Sequence, residues 1–163
     1  MNNNNSTPLV TIVLATYNQE DFVKKALDSI LSQTYKNIEI IICDNGSTDN
    51  TKEVIKSIIS DFQDIVFLDF KDNLNITIRH NHYINLAKGE FISILFGDDY
   101  YLPNKIQKQV ETFNTLDDSW GVVYGPTLIK SQIKNNFVTE EGLQKSGYVL
   151  DNLLSNWHNG GMM

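Results

Sequence analysis

The hydrophobic pattern changes period several times along the chain. Residues 9–15 form an unbroken apolar run, and unbroken rather than alternating hydrophobicity marks a strand covered on both faces. Phe22, Val23, Ala26, Leu27, Ile30 and Leu31 then recur at helical spacing, with Glu20 and Asp21 placed to suit the helix amino end. The unit repeats: residues 38–43 predict a second strand, Val54, Ile55, Ile58 and Ile59 a second helical stripe, and residues 65–68 a third strand. Ile76, His80, Tyr83, Ile84 and Ala87 predict a third helix, ended by Gly89 as a left-handed cap. A fourth strand follows over residues 90–96. Pro103 is then expected as the first residue of a helix carrying Ile106, Val110 and Phe113. Four strand–helix alternations predict a parallel, doubly wound α/β sheet. Beyond it, residues 120–130 and 135–142 read as shorter strands and 148–157 as a brief helix.

Composition narrows the class. With 163 residues and 41% hydrophobic content, one core and one domain are expected over residues 8–163, behind a disordered tail at 1–7. The net charge of −7, with no cluster of Lys or Arg, excludes nucleic acid as a partner. Cys43 is the only cysteine, so neither a disulfide framework nor a cysteine metal site is expected, which suits the cytoplasm. Apolar runs fall short of the roughly 18 residues of a membrane span.

In open parallel sheets ligands bind beyond the carboxyl ends of the strands. Three polar strand ends therefore stand out: Thr16-Tyr17-Asn18, Asp44-Asn45-Gly46 and Gly97-Asp98-Asp99. Each alone could be a turn or a cap, and Ser47, Thr48 or Asp49 could simply cap the second helix. The adjacent carboxylates Asp98 and Asp99, placed after what reads as a fully buried strand, repel each other unless a cation or donor compensates. Mg²⁺ or Mn²⁺ commonly takes one or two carboxylates plus substrate phosphates and water, which points to a phosphate-bearing ligand. The chain carries neither G-x-G-x-x-G after strand one nor a P-loop, so no glycine cradle holds the phosphates. His80 reads as a satisfied helix histidine and His82 as a surface one; with His158 they show no ligand spacing toward Cys43.

The segments VTIVLATYNQEDFVKKALDSILSQTY, IEIIICDNGSTDNT and LAKGEFISILFGDDYYLPNKIQKQV, in this order and spacing, resemble the family 2 glycosyltransferases of GT-A fold over residues 8–125. The resemblance implies a Rossmann-like, mostly parallel sheet flanked by helices. It also implies a nucleotide-sugar-dependent transferase, inverting in most relatives, with Mn²⁺ or Mg²⁺ between the donor diphosphate and the acidic motif. Carried over by position, Thr16 and Tyr17, with Asn18 beside them, line the nucleobase pocket. Asp44 meets the base, Asn45 stands where relatives often have a second aspartate, and Asp98 and Asp99 serve ribose and metal, Asp99 foremost for the metal.

Several positions depart from the pattern. Many relatives read Asp-Ser-Asp-Asp where this chain has Phe96-Gly97-Asp98-Asp99, which leaves the metal to the last two. Ala15 replaces a frequent proline. Relatives carry Arg-Asn and then a glycine two residues on, where this chain has His80-Asn81 and Tyr83, with Arg79 one residue early. The family's catalytic base lies on a later, acceptor-side segment, expected beyond Met163, so the chain reads as the donor-binding portion. Relatives often use lipid-linked acceptors at the inner membrane face, which implies a glycan or lipid-linked partner and peripheral membrane association. An open sheet edge would favour homo-oligomers. Two rival readings stay open: a non-catalytic nucleotide-sugar binding module, and a flavodoxin-type phosphoacceptor domain whose acidic cluster binds Mg²⁺.

Overall fold

The structure, a computed structural model, describes residues 7–117, 119–125, 127–130 and 137–140. Its elements are β1 (Val10–Thr16), α1 (Val23–Leu31), β2 (Ile38–Asp44), α2 (Thr51–Ile59), β3 (Ile65–Asp69), α3 (Ile76–Leu86), β4 (Phe91–Phe96), α4 (Lys105–Phe113), β5 (Thr127–Lys130) and β6 (Phe137–Glu140). The chain divides into two compact units, residues 1–114 and 115–163. The first holds a four-stranded sheet in the order β3-β2-β1-β4, parallel throughout. The second holds the antiparallel pair β5-β6. The brief helix expected at 148–157 lies outside the described residues, as does the expected amino-terminal tail except for Thr7, whose carbonyl accepts from Asn37 Nδ2 at 2.7 Å.

Alternation along β1 builds the two faces of the sheet. Val10, Ile12 and Leu14 meet α1, α2 and α4 through Val23, Ala26, Leu27, Ile55, Ile106 and Val110. Val13 and Ala15, with Ile41 and Cys43 of β2, meet α3 at Tyr83. Every residue of β1 is buried, as its unbroken apolar run requires. A fully buried Leu or Ile contributes about 1.5–3 kcal/mol, so this central strand anchors the unit. On β4, by contrast, Ile92, Ile94 and Phe96 are exposed and only the other face is covered, so the acidic turn follows a half-covered edge strand rather than a fully buried one.

Several helix ends differ from expectation. Phe22 precedes α1 and is exposed, and Glu20 serves a different helix, its carboxylate accepting from the Asn50 N–H at the start of α2. Asp49, of the three candidate caps, accepts from the Thr51 N–H and Oγ1, while Ser47 and Thr48 are engaged elsewhere. Gly89 does not take a left-handed conformation; α3 ends at Ala87 in extended geometry. Gly89 is instead needed for space, since a Cβ there would sit 2.5 Å from the Thr11 nitrogen. Pro103 belongs to the turn before α4, whose first residue is Lys105.

The stripe on α3 is met only in part: Tyr83 is buried and His80 and Ala87 are half-buried, whereas Ile76 and Ile84 are exposed. Arg79, which the stripe does not include, is buried as well: it stacks on Phe70 at 3.5 Å and donates through Nε to Asn45 Oδ1. No helix among the described residues is long and apolar enough to cross a membrane.

Candidate active site

β1 pairs with β2 on one side and β4 on the other, so the chain direction of strand addition reverses at β1. That is the place where an open parallel sheet leaves a crevice beyond its carboxyl edge. A cleft of about 190 Å³ lies there. Ala15, Thr16, Tyr17 and Gln19 from the end of β1, Cys43 and Asn45 from β2, Phe96 from β4, and Ile76, Arg79, His80 and Tyr83 from α3 line it.

The β2 end explains how the cleft is shaped. Asp44 is fully buried, and its Oδ1 accepts from the N–H groups of Gly46 (3.1 Å) and Ser47 (2.8 Å) while Oδ2 accepts from Ser47 Oγ (2.5 Å). Lys52 Nζ lies 3.7 Å away but pairs more closely with Asp69, at 2.8 Å. The Asp44 carboxylate thus ties its own loop into a turn, and the residue it presents to the cleft is Asn45. Gly46 is necessary in this turn: its φ is +83°, and a Cβ would lie 2.6 Å from the Asp72 carbonyl carbon.

Asn45 in turn staples the β3–α3 connection. Its Nδ2 donates to the Leu74 carbonyl (2.8 Å) and to Asn73 Oδ1 (2.7 Å), and its Oδ1 accepts from the Leu74 N–H and from Arg79 Nε (2.7 Å). Arg79 also donates to the Asp72 carbonyl. Asn18, in the left-handed region at φ +50°, ties the β1 and β2 loops together: Asn18 N–H donates to Ser47 Oγ, and its Oδ1 accepts from the Thr48 N–H.

Of the residues singled out from sequence, the cleft gathers Thr16, Tyr17 and Asn45, while Asn18 and Asp44 organise the loops behind it. Asp98 and Asp99 begin immediately past its rim. Gly97 packs so closely on Thr16 and Gln19 that a Cβ would sit 2.7 Å from Thr16 Oγ1, which holds the acidic turn against the cleft. The Asp99 carboxyl is raised above the ordinary carboxylate range, first by partial desolvation and then by the neighbouring Asp98 charge. A divalent cation would discharge that repulsion, and a two-carboxylate donor set suits Mn²⁺ or Mg²⁺ completed by phosphate oxygens and water.

Sequence reasoning did not place His80 or Tyr83 in the cleft. Contrary to expectation, His80 is not satisfied: its Nε2 and the Tyr83 hydroxyl are buried without a hydrogen-bond partner among the described residues. Their signal in the sequence is an apolar stripe whose members carry polar tips. His82 is exposed, as expected, with its ring edge-on to Phe70. Behind the acidic turn, Lys105 donates to Ser93 Oγ at 2.6 Å and lies over the Tyr101 ring, and burial pushes its pKa down to about 8.

A sequence profile of glycosyl transferase family 2 matches residues 11–155. The chain belongs to this family. An uncharacterised glycosyltransferase of Rickettsia typhi is 40% identical over 124 residues, 76% of this chain and 38% of the relative. The Escherichia coli UDP-Glc:alpha-D-GlcNAc-diphosphoundecaprenol beta-1,3-glucosyltransferase WfaP is 38% identical over 117 residues, 66% of this chain and 42% of its own. The chain thus spans about two fifths of the length of these relatives. Among solved structures, mannosyltransferase PcManGT of Pyrobaculum calidifontis in complex with GDP-Man and Mn²⁺ gives a TM-score of 0.56 at 24% identity, covering 60% of this chain and 29% of its own. TarS of S. aureus in complex with UDP gives 0.58 at 19% identity, covering 66% and 32%. The family 2 chain therefore has the GT-A fold its motifs implied.

Proposed function

We propose that this family 2 chain is the donor-binding part of an inverting glycosyltransferase. It would move a sugar from a nucleoside-diphosphate sugar, of UDP or dTDP type, to a glycan or lipid-linked acceptor in cell-surface polysaccharide synthesis. The observation that carries this reading is the cleft at the carboxyl ends of β1, β2 and β4, with the Asp98-Asp99 turn held at its rim by Gly97. The donor of WfaP, UDP-Glc, and its diphosphoundecaprenol acceptor support the substrate classes. The UDP bound to TarS and the GDP-Man bound to PcManGT support a nucleotide in this fold. In this reading the reaction takes place in the cytoplasm, at the inner membrane face.

In the proposed site Thr16, Tyr17 and Asn45 border the nucleobase, and Asp44 and Asn18 keep the loops that carry them in place. Asp99, with Asp98, would hold Mn²⁺ or Mg²⁺, which supplies a Lewis acid for the charge that gathers on the departing diphosphate. The turn at Gly97, packed on Thr16 and Gln19, keeps the two carboxylates next to the nucleotide, and Ala15, Ile76 and Phe96 offer apolar surface to the base. Removal of the acceptor proton falls to a base on the acceptor side.

A thermal-shift screen with UDP, dTDP and GDP, each with Mn²⁺ or with EDTA, tests the assignment. One nucleotide is expected to raise the melting temperature with Mn²⁺, and Asp99→Ala should abolish that rise while leaving the unliganded protein folded. A rise that persists in Asp99→Ala would remove the metal role from this residue.

A further inference from the structure

Most polar groups of the cleft are occupied within the protein. Thr16 Oγ1 donates to Gln19 Oε1, the Asn45 amide is engaged on both atoms, and Arg79 is held by Asn45, the Asp72 carbonyl and the Phe70 ring. His80 Nε2 and Tyr83 Oη stand apart. Both atoms are buried, both lack a partner among the described residues, and both side chains line this cleft. They sit three residues apart on α3, hence on one helix face, with ring centroids 5.1 Å apart. Folded proteins leave few buried polar atoms unpaired, because such atoms give up hydration without return. Two together at a ligand cleft call for a ligand that supplies the missing partners.

We propose that His80 Nε2 and Tyr83 Oη form the polar floor of the cleft and take the hydrogen-bonding edge of the donor's nucleobase, so that this pair sets base preference. The inference rests on the nucleotide reading above and assigns to it two residues at which this chain departs from its relatives' pattern. A phosphate does not suit this floor. Among the described residues Arg79 is the only Lys or Arg lining the cleft and is already committed, while burial holds the His80 pKa below its ordinary value and so favours neutral imidazole. A flat heteroaromatic ring does suit it. Tyr17 and Phe96, both exposed at the rim, and Ile76 offer apolar surface for its faces; because the two floor atoms are buried, a rim side chain must turn aside for the base edge to reach them. A phenol hydroxyl and a neutral imidazole can each donate or accept, so the positions of these atoms would discriminate one base from another.

The test is calorimetric titration of UDP, dTDP and GDP, with Mn²⁺, into the wild type, Tyr83→Phe and His80→Phe. Both substitutions keep an aromatic ring and delete the unpaired atom. The preferred nucleotide should lose about tenfold in affinity in each variant. The other two should change less, so the preference narrows, while melting temperatures of the unliganded variants stay level or rise. Unchanged affinities and ranking in both variants would overturn the proposal and leave the nucleotide reading standing. Lower melting temperatures with unchanged ranking would overturn it too, since the atoms would then have partners inside the protein. A wild type that binds none of the three would remove the nucleotide reading and this inference with it.

Discussion

Replacing Asp44 probes the difference between a residue that touches the ligand and one that builds the loop around it. In Asp44→Ala the N–H groups of Gly46 and Ser47 and the Ser47 hydroxyl lose their acceptor in a place where Asp44 is 0% exposed. A buried donor left without a partner costs about 1–3 kcal/mol. Two backbone donors, with water reaching part of the vacated space, give a loss of about 3–5 kcal/mol. Lys52 adds little, because it keeps Asp69 at 2.8 Å. Asp44→Asn retains one acceptor oxygen for the two N–H groups and gives up the charge, a loss of about 1–2 kcal/mol. Urea denaturation should therefore show midpoints falling in the order wild type, Asn, Ala at a constant slope. Against a typical total of about 5–15 kcal/mol, the Ala variant is severely weakened. If Ala costs less than about 1 kcal/mol, or if Asn costs as much as Ala, the loop-organising role is refuted.

Other consequences follow from the same geometry. Gly46→Ala must adopt φ near +83° and drive a Cβ into the Asp72 backbone, so unfolding midpoints should drop by at least about 2 kcal/mol in stability; a neutral result would mean the β3–α3 connection can move aside. The Cys43 thiol, buried and pushed up to about 11 mainly by burial, should resist iodoacetamide at pH 8 until the protein unfolds, and rapid labelling of folded protein would contradict its burial. Burial lowers the His80 pKa, so the unfolded chain takes up its proton first as pH falls below about 6.5. Folding stability should therefore decline more steeply from pH 7 toward pH 5 in the wild type than in His80→Phe; parallel pH profiles would refute this.

Much of the first unit was legible because period and burial agree. The β1 run is buried on both faces, and the α1 and α4 stripes at Ala26, Leu27, Ile106 and Val110 meet the sheet as their spacing requires. The polar strand ends pointed to the edge of the sheet at which the cleft lies. Division of labour within them was not legible, since Asp44 and Asn45 differ by one atom group and one residue yet one is sealed beneath the loop and the other borders the cleft. That outcome depends on Ser47, Gly46 and the Leu74 backbone, partners that tertiary structure brings together. On α3 the stripe was right at Tyr83 and missed Arg79, whose burial depends on Phe70 and Asn45, partners that only tertiary structure brings together. Gly89 read as a cap for a similar reason: the requirement for glycine comes from Thr11, 78 residues away, rather than from its own helix.

In the proposed function this cleft and the Asp98-Asp99 turn together bind a nucleoside diphosphate through a divalent cation. Calorimetric titration of UDP, dTDP and GDP into the wild-type chain, in Mn²⁺ and again in EDTA, tests it most directly. Saturable one-to-one heat is expected for one of the three in Mn²⁺, with affinity lost in EDTA. Absence of heat with all three in Mn²⁺, or equal affinity in EDTA, would contradict it.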